Sequence, residues 1–143
     1  MKYRPAVFVV VYLKTKNKIE YLILKRKLHW KGWEFPKGGI DFRETKIEAV
    51  KREVKEESGL KILKIKKFNI YGKYKYDKEY SDRPGIKGQK YSLYSALVKK
   101  GEPKLDKREH SDYKWMNFSD AVNKLTWNNQ RKCLKIVNER IRI

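Results

Sequence analysis

Residues 6–13 form an unbroken apolar run, and five polar residues (Lys14 to Lys18) separate it from a second apolar segment. The pattern predicts strands at residues 7–13 and 19–25, joined as a hairpin. Residues 29–41 then pack two Trp, one Pro and three Gly into thirteen positions, which predicts a loop of special backbone geometry. The period changes at residues 45–60, where Ile47, Val50 and Val54 recur at helical spacing. Thr45 with Glu48 makes a capping-box pair at the start, and Gly59 stands where a left-handed C-terminal cap is expected. From residue 61 to 80 β-branched and aromatic residues alternate with Lys, predicting strands. Residues 81–88 are turn-rich, residues 89–98 return to strand, and 112–116 make a short strand. Residues 121–125 and 127–141 read as closing helices, with Leu134, Val137 and Ile141 turned inward. Strands, one helix, more strands and then helices predict an α/β chain with a mixed sheet and helices on both faces. No repeat or Ser/Gly-rich linker divides it, so residues 1–143 are expected to form one domain.

Composition fits that picture and adds a partner. A hydrophobic fraction of 40% fills one modest core, while 8 Gly, 4 Pro and 13% aromatic residues exclude a collagen-like or disordered basic chain. Lys+Arg 37 against Asp+Glu 17 leaves a net charge of +20. The expected partner is therefore anionic: phosphates, nucleotides or nucleic acid, ahead of a membrane surface. The longest apolar run is far too short to cross a bilayer, and no charged-then-apolar leader precedes it. Cys133 is the lone cysteine and there are two His, which excludes an internal disulfide and argues against structural zinc. A reducing, cytoplasmic location is the expectation.

The chemistry concentrates in Glu53, Glu56 and Glu57, which share one helical face beside the apolar stripe. Three like charges at that spacing repel one another, and burial near the core strengthens the repulsion. A divalent cation removes the conflict, and oxygen ligands select a hard ion such as Mg²⁺ or Mn²⁺ over zinc. A solvated charged face, with Glu48 pairing Arg52, is the alternative reading of the same residues. Context favours the metal: Gly38 and Gly39, which permit close backbone approach, precede the helix, with Lys37 just before them.

Gly38, Glu44, Arg52-Glu53-Val54, Glu56-Glu57 and Gly59-Leu60, at their spacing over residues 38–60, resemble the complete Nudix box. The resemblance implies an α/β/α sandwich around a mixed sheet. It also implies hydrolysis of nucleoside diphosphates linked to another group, with two or more Mg²⁺ or Mn²⁺ ions taking part. By the same resemblance Glu56 is the central metal ligand with Glu57 and Glu53 beside it, and Glu109 outside the box is a further ligand or base. Arg52 orients a Glu, Glu44 holds the loop onto the helix, Gly59 ends the helix, and Lys37 or Gly38 offers a backbone carbonyl to the metal. Lys37, Lys25 and Arg26 are candidates for contact with the polyphosphate.

The segment from Trp33 to Ile40 resembles those of asymmetric diadenosine tetraphosphate hydrolases and of RNA 5′-pyrophosphohydrolases. Glu109-His110-Ser111-Asp112-Tyr113-Lys114-Trp115 resembles a stretch of the diadenosine tetraphosphate group, and Lys87 with Tyr91 is similar to a substrate-lining pair there. His110 joins the candidate substrate contacts on that basis. Tyr74 and Tyr76, interleaved with Lys73 and Lys75, make either a base-stacking platform or an ordinary half-buried strand. The leading expectation is cleavage of diadenosine tetraphosphate to ATP and AMP. Removal of pyrophosphate from an RNA 5′ end and nucleoside triphosphate clean-up follow, with a non-catalytic nucleotide- or RNA-binding module last.

Overall fold

Every residue of the run 6–13 is buried, because the run occupies the centre of a sheet covered on both faces. The computed structural model describes residues 2–141. Its first strand, β1 (Lys2–Thr15), alternates between two cores. Phe8, Val10 and Tyr12 pack against Ala121, Leu125, Leu134 and Val137, while Val7, Val9 and Val11 pack against Ala49, Val50 and Val54. Strand geometry sends successive side chains to opposite faces, so a run with no polar position serves two helical layers.

The remaining strands are β2 (Lys18–Arg26), β3 (Gly32–Glu34), β4 (Lys37–Gly39), β5 (Ile62–Lys75), β6 (Ile86–Val98) and β7 (His110–Met116). Helix α1 (Lys46–Ser58) covers one face, and α2 (Phe118–Lys124) with α3 (Asn128–Arg140) covers the other. The seven-stranded sheet runs β3-β2-β1-β6-β5, with β6 parallel to β1 and the other pairings antiparallel. This is the mixed sheet with helices on both faces that the element order predicts.

The sheet forks at the site. The start of β2 pairs with the end of β1, through Tyr12↔Tyr21 to Thr15↔Lys18. Beyond that point the two strands diverge. β3 pairs with the end of β2, β4 pairs with Ala6, Val7 and Phe8 of β1, and the chain between them bridges the gap. β7 takes the outer edge of β2. Residues 29–41 are thus not loop throughout; their Gly, Pro and Trp content hides two three-residue ladders.

Three other expectations shift. Strand β1 begins at Lys2, because parallel pairing with β6 orders residues that carry no apolar pattern. β5 is one long strand interrupted between Lys67 and Tyr71, where Asn69 takes a left-handed φ of 53°, and it ends before Tyr76. In α1, Ile47 is exposed, and the buried face instead carries Ala49, Val50 and Val54 together with Glu53 and Glu57. Both predicted caps form: Thr45 and Glu48 exchange their hydrogen bonds, and Gly59 closes the helix at φ 67°.

Candidate active site

Arg52 is the organising cation. Its Nε and Nη2 donate to the two oxygens of Glu44, each at 2.8 Å, its Nη1 donates to Glu53 at 2.7 Å and to Glu56 at 3.4 Å, and Nη2 also reaches the Gly39 carbonyl at 2.8 Å. One planar guanidinium so ties helix, preceding loop and β4 together. Glu44 also accepts from the Asp41 N–H, and these bonds, Arg52 first, hold its carboxyl down at about 2. Gly38 lies directly under Glu53, and a Cβ there would overlap its carboxylate. The glycine is required by this close approach.

Glu57 is 1% exposed; its Oε2 accepts from the Lys37 N–H at 3.1 Å, and its Oε1 has no partner among the described residues. Burial, followed by the charges of Glu53, Glu34 and Glu109, pushes its carboxyl well above the usual carboxylate range. Burial likewise lifts Glu53 to about 7, against the opposing pull of Arg52. Glu56 stands at the exposed edge of the group, and ligand atoms of Glu57, Glu109 and His110 lie within 4.8 Å of one another.

Behind them sits Glu34, fully buried, with His110 Nε2 at 2.7 Å, Arg26 Nη1 at 3.2 Å and Lys37 Nζ at 3.8 Å. Burial opposes its ionisation, but Lys37, His110 and Arg26 together outweigh it and hold the carboxyl at about 2. On the opposite face of the fork a cavity of about 400 Å³ opens between β5, the start of α3 and residues 26–30. Tyr74, Tyr76, Tyr80, Trp30 and Trp127 form its aromatic walls, and Lys37, Arg26 and Arg83 supply positive charge. Its rim is tied by His29, whose Nε2 lies 3.0 Å from both oxygens of Asp82 and whose ring lies 4.3 Å from that of Tyr80.

The carboxylates, Arg52, Lys37, Arg26, Tyr74 and Tyr76 therefore converge on the fork. Four other expected contacts do not. Lys25 is exposed on β2, away from the cavity. Lys87 lies over the ring of Tyr3, 4.7 Å from its centroid. Tyr91 stacks on Phe8 at 3.9 Å in the core beneath α3. His110 is completely buried against Glu34 and presents nothing to a substrate surface. The ladder also separates the two carbonyls offered for a metal. Val9 N–H bonds Pro36 O and Ile40 N–H bonds Pro5 O, so alternation turns Gly38 toward β1 and the carbonyl of Lys37 away from it. Sequence reasoning missed Glu34, His29, Trp30 and Trp127; only the density of aromatic residues around position 30 hinted at the last two.

The carboxyl shifts have a measurable sign. Glu34 and Glu44 contribute stability that is present above the ordinary carboxylate range and lost as pH falls toward about 2. Glu53, raised to about 7, acts oppositely: it destabilises the metal-free protein as pH rises through that value, by about 3 kcal/mol. Denaturant midpoints of metal-free protein are expected to peak near pH ~5 and fall by pH ~8, with added Mg²⁺ restoring more at the higher pH. A flat profile across that interval contradicts the burial of these acids.

A NUDIX domain model matches residues 2–135. An RNA pyrophosphohydrolase from Nitratiruptor sp. is 32% identical over 132 residues, covering 88% of this chain and 85% of that protein. The asymmetrical bis(5′-nucleosyl)-tetraphosphatase of Caenorhabditis elegans is 30% identical over 117 residues, covering 82% and 81%. A crystal structure of a C. elegans Ap4A hydrolase binary complex superposes with a TM-score of 0.71 at 26% identity, covering 95% of this chain and 96% of that one. The E. coli dihydroneopterin triphosphate pyrophosphohydrolase, at 20% identity and a TM-score of 0.75, shares the fold and covers 96% of this chain and 99% of its own. The complete box, the acids it gathers at the fork and a family match spanning nearly the whole chain agree: this protein belongs to the Nudix hydrolases, enzymes of phosphoanhydride bonds.

Proposed function

We propose that the protein cleaves a dinucleoside tetraphosphate asymmetrically, adding water across one phosphoanhydride to release a nucleoside triphosphate and a monophosphate. The observation that carries this reading is the pairing of an acidic group on one side of the fork with a ligand-sized aromatic cavity on the other. The orphaned Glu57 Oε1 and the carboxylate oxygens near it fit a hard divalent cation, held by Glu53, Glu56, Glu57, Glu109 and the Lys37 carbonyl. Such an ion, when bound, neutralises phosphate oxygens and lowers the pKa of water.

The chain's own residues do the rest. Arg52 fixes Glu53 and Glu56, and the Lys37 N–H fixes Glu57. Tyr74, Tyr76, Tyr80, Trp30 and Trp127 give a base aromatic walls to pack against, while Arg83 and Lys37 favour the phosphate end. The stretch from Glu109 to Trp115 and the likeness to the C. elegans tetraphosphatase support the dinucleotide reading. A second reading, removal of pyrophosphate from an RNA 5′ end, is favoured by the net charge of +20 and the Nitratiruptor relative.

Comparison of kcat/KM for diadenosine tetraphosphate and for 5′-triphosphorylated RNA with Mg²⁺, the products resolved chromatographically, decides between them. The dinucleotide is expected to turn over faster and to yield ATP and AMP; the reverse order establishes the RNA reading instead.

A further inference from the structure

His110 is one of two histidines in the chain, and the hydrolysis described above gives it no task. Its side chain is fully buried, Nε2 lies 2.7 Å from Glu34 Oε2, and Nδ1 has no hydrogen-bond partner among the described residues. An ionised carboxylate only accepts, so Nε2 donates to Glu34 and Nδ1 is the ring nitrogen left without a partner. A buried imidazole nitrogen without a partner is costly unless something is bound there. The same is true of Glu57 Oε1, also buried without a partner.

These two residues and Glu109 bring a ligand atom each to within 4.8 Å of one another. Helix α1 supplies Glu57, while the start of β7 and the residue before it supply His110 and Glu109. Glu34 completes a familiar arrangement of metal sites, in which a carboxylate behind the ring fixes its tautomer and strengthens the nitrogen as a ligand. Arg26 shares that Glu34 oxygen and Lys37 lies 3.8 Å from the other one, so the ring is anchored from β2, β3 and β4 at once.

We infer that His110 is a metal ligand, joining Glu57 and Glu109 in a mixed nitrogen–oxygen site that favours Mn²⁺ or Co²⁺ over Mg²⁺. The acids alone specify a hard ion and leave Mg²⁺ and Mn²⁺ equivalent. One imidazole changes that, because Mg²⁺ keeps to oxygen donors while nitrogen donors strengthen binding along the transition-metal series. The inference rests on the metal-dependent reading of the site and adds a residue outside the box to it.

The test is spectroscopic and uses nucleotide-free protein. Mn²⁺ titrated into the wild-type chain is expected to show, by electron spin echo modulation, the ¹⁴N coupling of a directly bound imidazole. That coupling is expected to vanish in His110→Gln and persist in His29→Gln, with Mn²⁺ binding by calorimetry about tenfold weaker or more in the first and unchanged in the second. Circular dichroism verifies that each variant is folded, and the wild-type spectrum decides the matter even where a variant is not. A wild-type Mn²⁺ spectrum without nitrogen coupling overturns the inference, as does coupling that survives His110→Gln. Neither result bears on which phosphoanhydride is cleaved, and a failure to cleave dinucleotides leaves the nitrogen coupling and its meaning unchanged.

Discussion

Glu57→Gln is expected to lower hydrolysis on the order of 10³-fold while raising the thermal midpoint of the metal-free protein. The two effects have one origin. Glu57 is buried beside Glu53, Glu34 and Glu109, so its charge is unfavourable until a cation answers it. Glutamine keeps an oxygen to accept the Lys37 N–H, yet removes the like-charge repulsion, a gain of about 1 kcal/mol at pH ~8. Catalysis loses a metal ligand, and with it several kcal/mol of charge stabilisation in the transition state. Turnover numbers on diadenosine tetraphosphate and melting curves in a chelator measure the two arms. Undiminished turnover on every phosphoanhydride tried would show that Glu57 holds no metal the reaction needs.

Glu34→Ala is expected to be the most damaging change to the fold. Arg26, Lys37 and His110 converge on this one carboxylate, and Arg26, Lys37 and His110 are themselves buried. Removing the anion leaves Arg26 and Lys37 in the interior without a counter-charge, at a cost of about 3–5 kcal/mol. Against the 5–15 kcal/mol typical of a domain, that amounts to a fall in midpoint on the order of 10–20 °C. Because Lys37 N–H also holds Glu57, the metal response of the melting curve should weaken in the same variant. A midpoint within about 2 °C of wild type would show that the network carries no stability.

The helix, its caps and its acids were legible because their information is local. Thr45 meets Glu48 and Gly59 meets Lys55 within one turn, and the box residues lie on one segment. The central strand was legible for a related reason: an apolar run with no polar break can only be covered on both faces. What escaped depends on partners distant in sequence. β3 and β4 exist because β1 and β2 part company and leave edges to be paired, which no period within residues 29–41 records. Glu34 reads as one more surface charge until His110, 76 residues later, is brought against it. Tyr91 and Lys87, placed at a substrate by resemblance, are claimed by Phe8 and Tyr3 once β6 is seated in the sheet. Ile47 follows the helical period yet stays exposed, since carboxylates rather than apolar side chains extend the buried face of α1.

The parting of β1 from β2 has an evolutionary corollary. On the function proposed above, bond breaking falls to α1 on one side of the opening and ligand selection to β5, residues 76–83 and the start of α3 on the other, with Arg26 and Lys37, which line the cavity and pair with Glu34, between them. Substitutions in the aromatic walls can thus retune which molecule is accepted while the hydrolytic apparatus stays untouched. A division of labour of this kind lets one scaffold diversify among many nucleotides without relearning its chemistry.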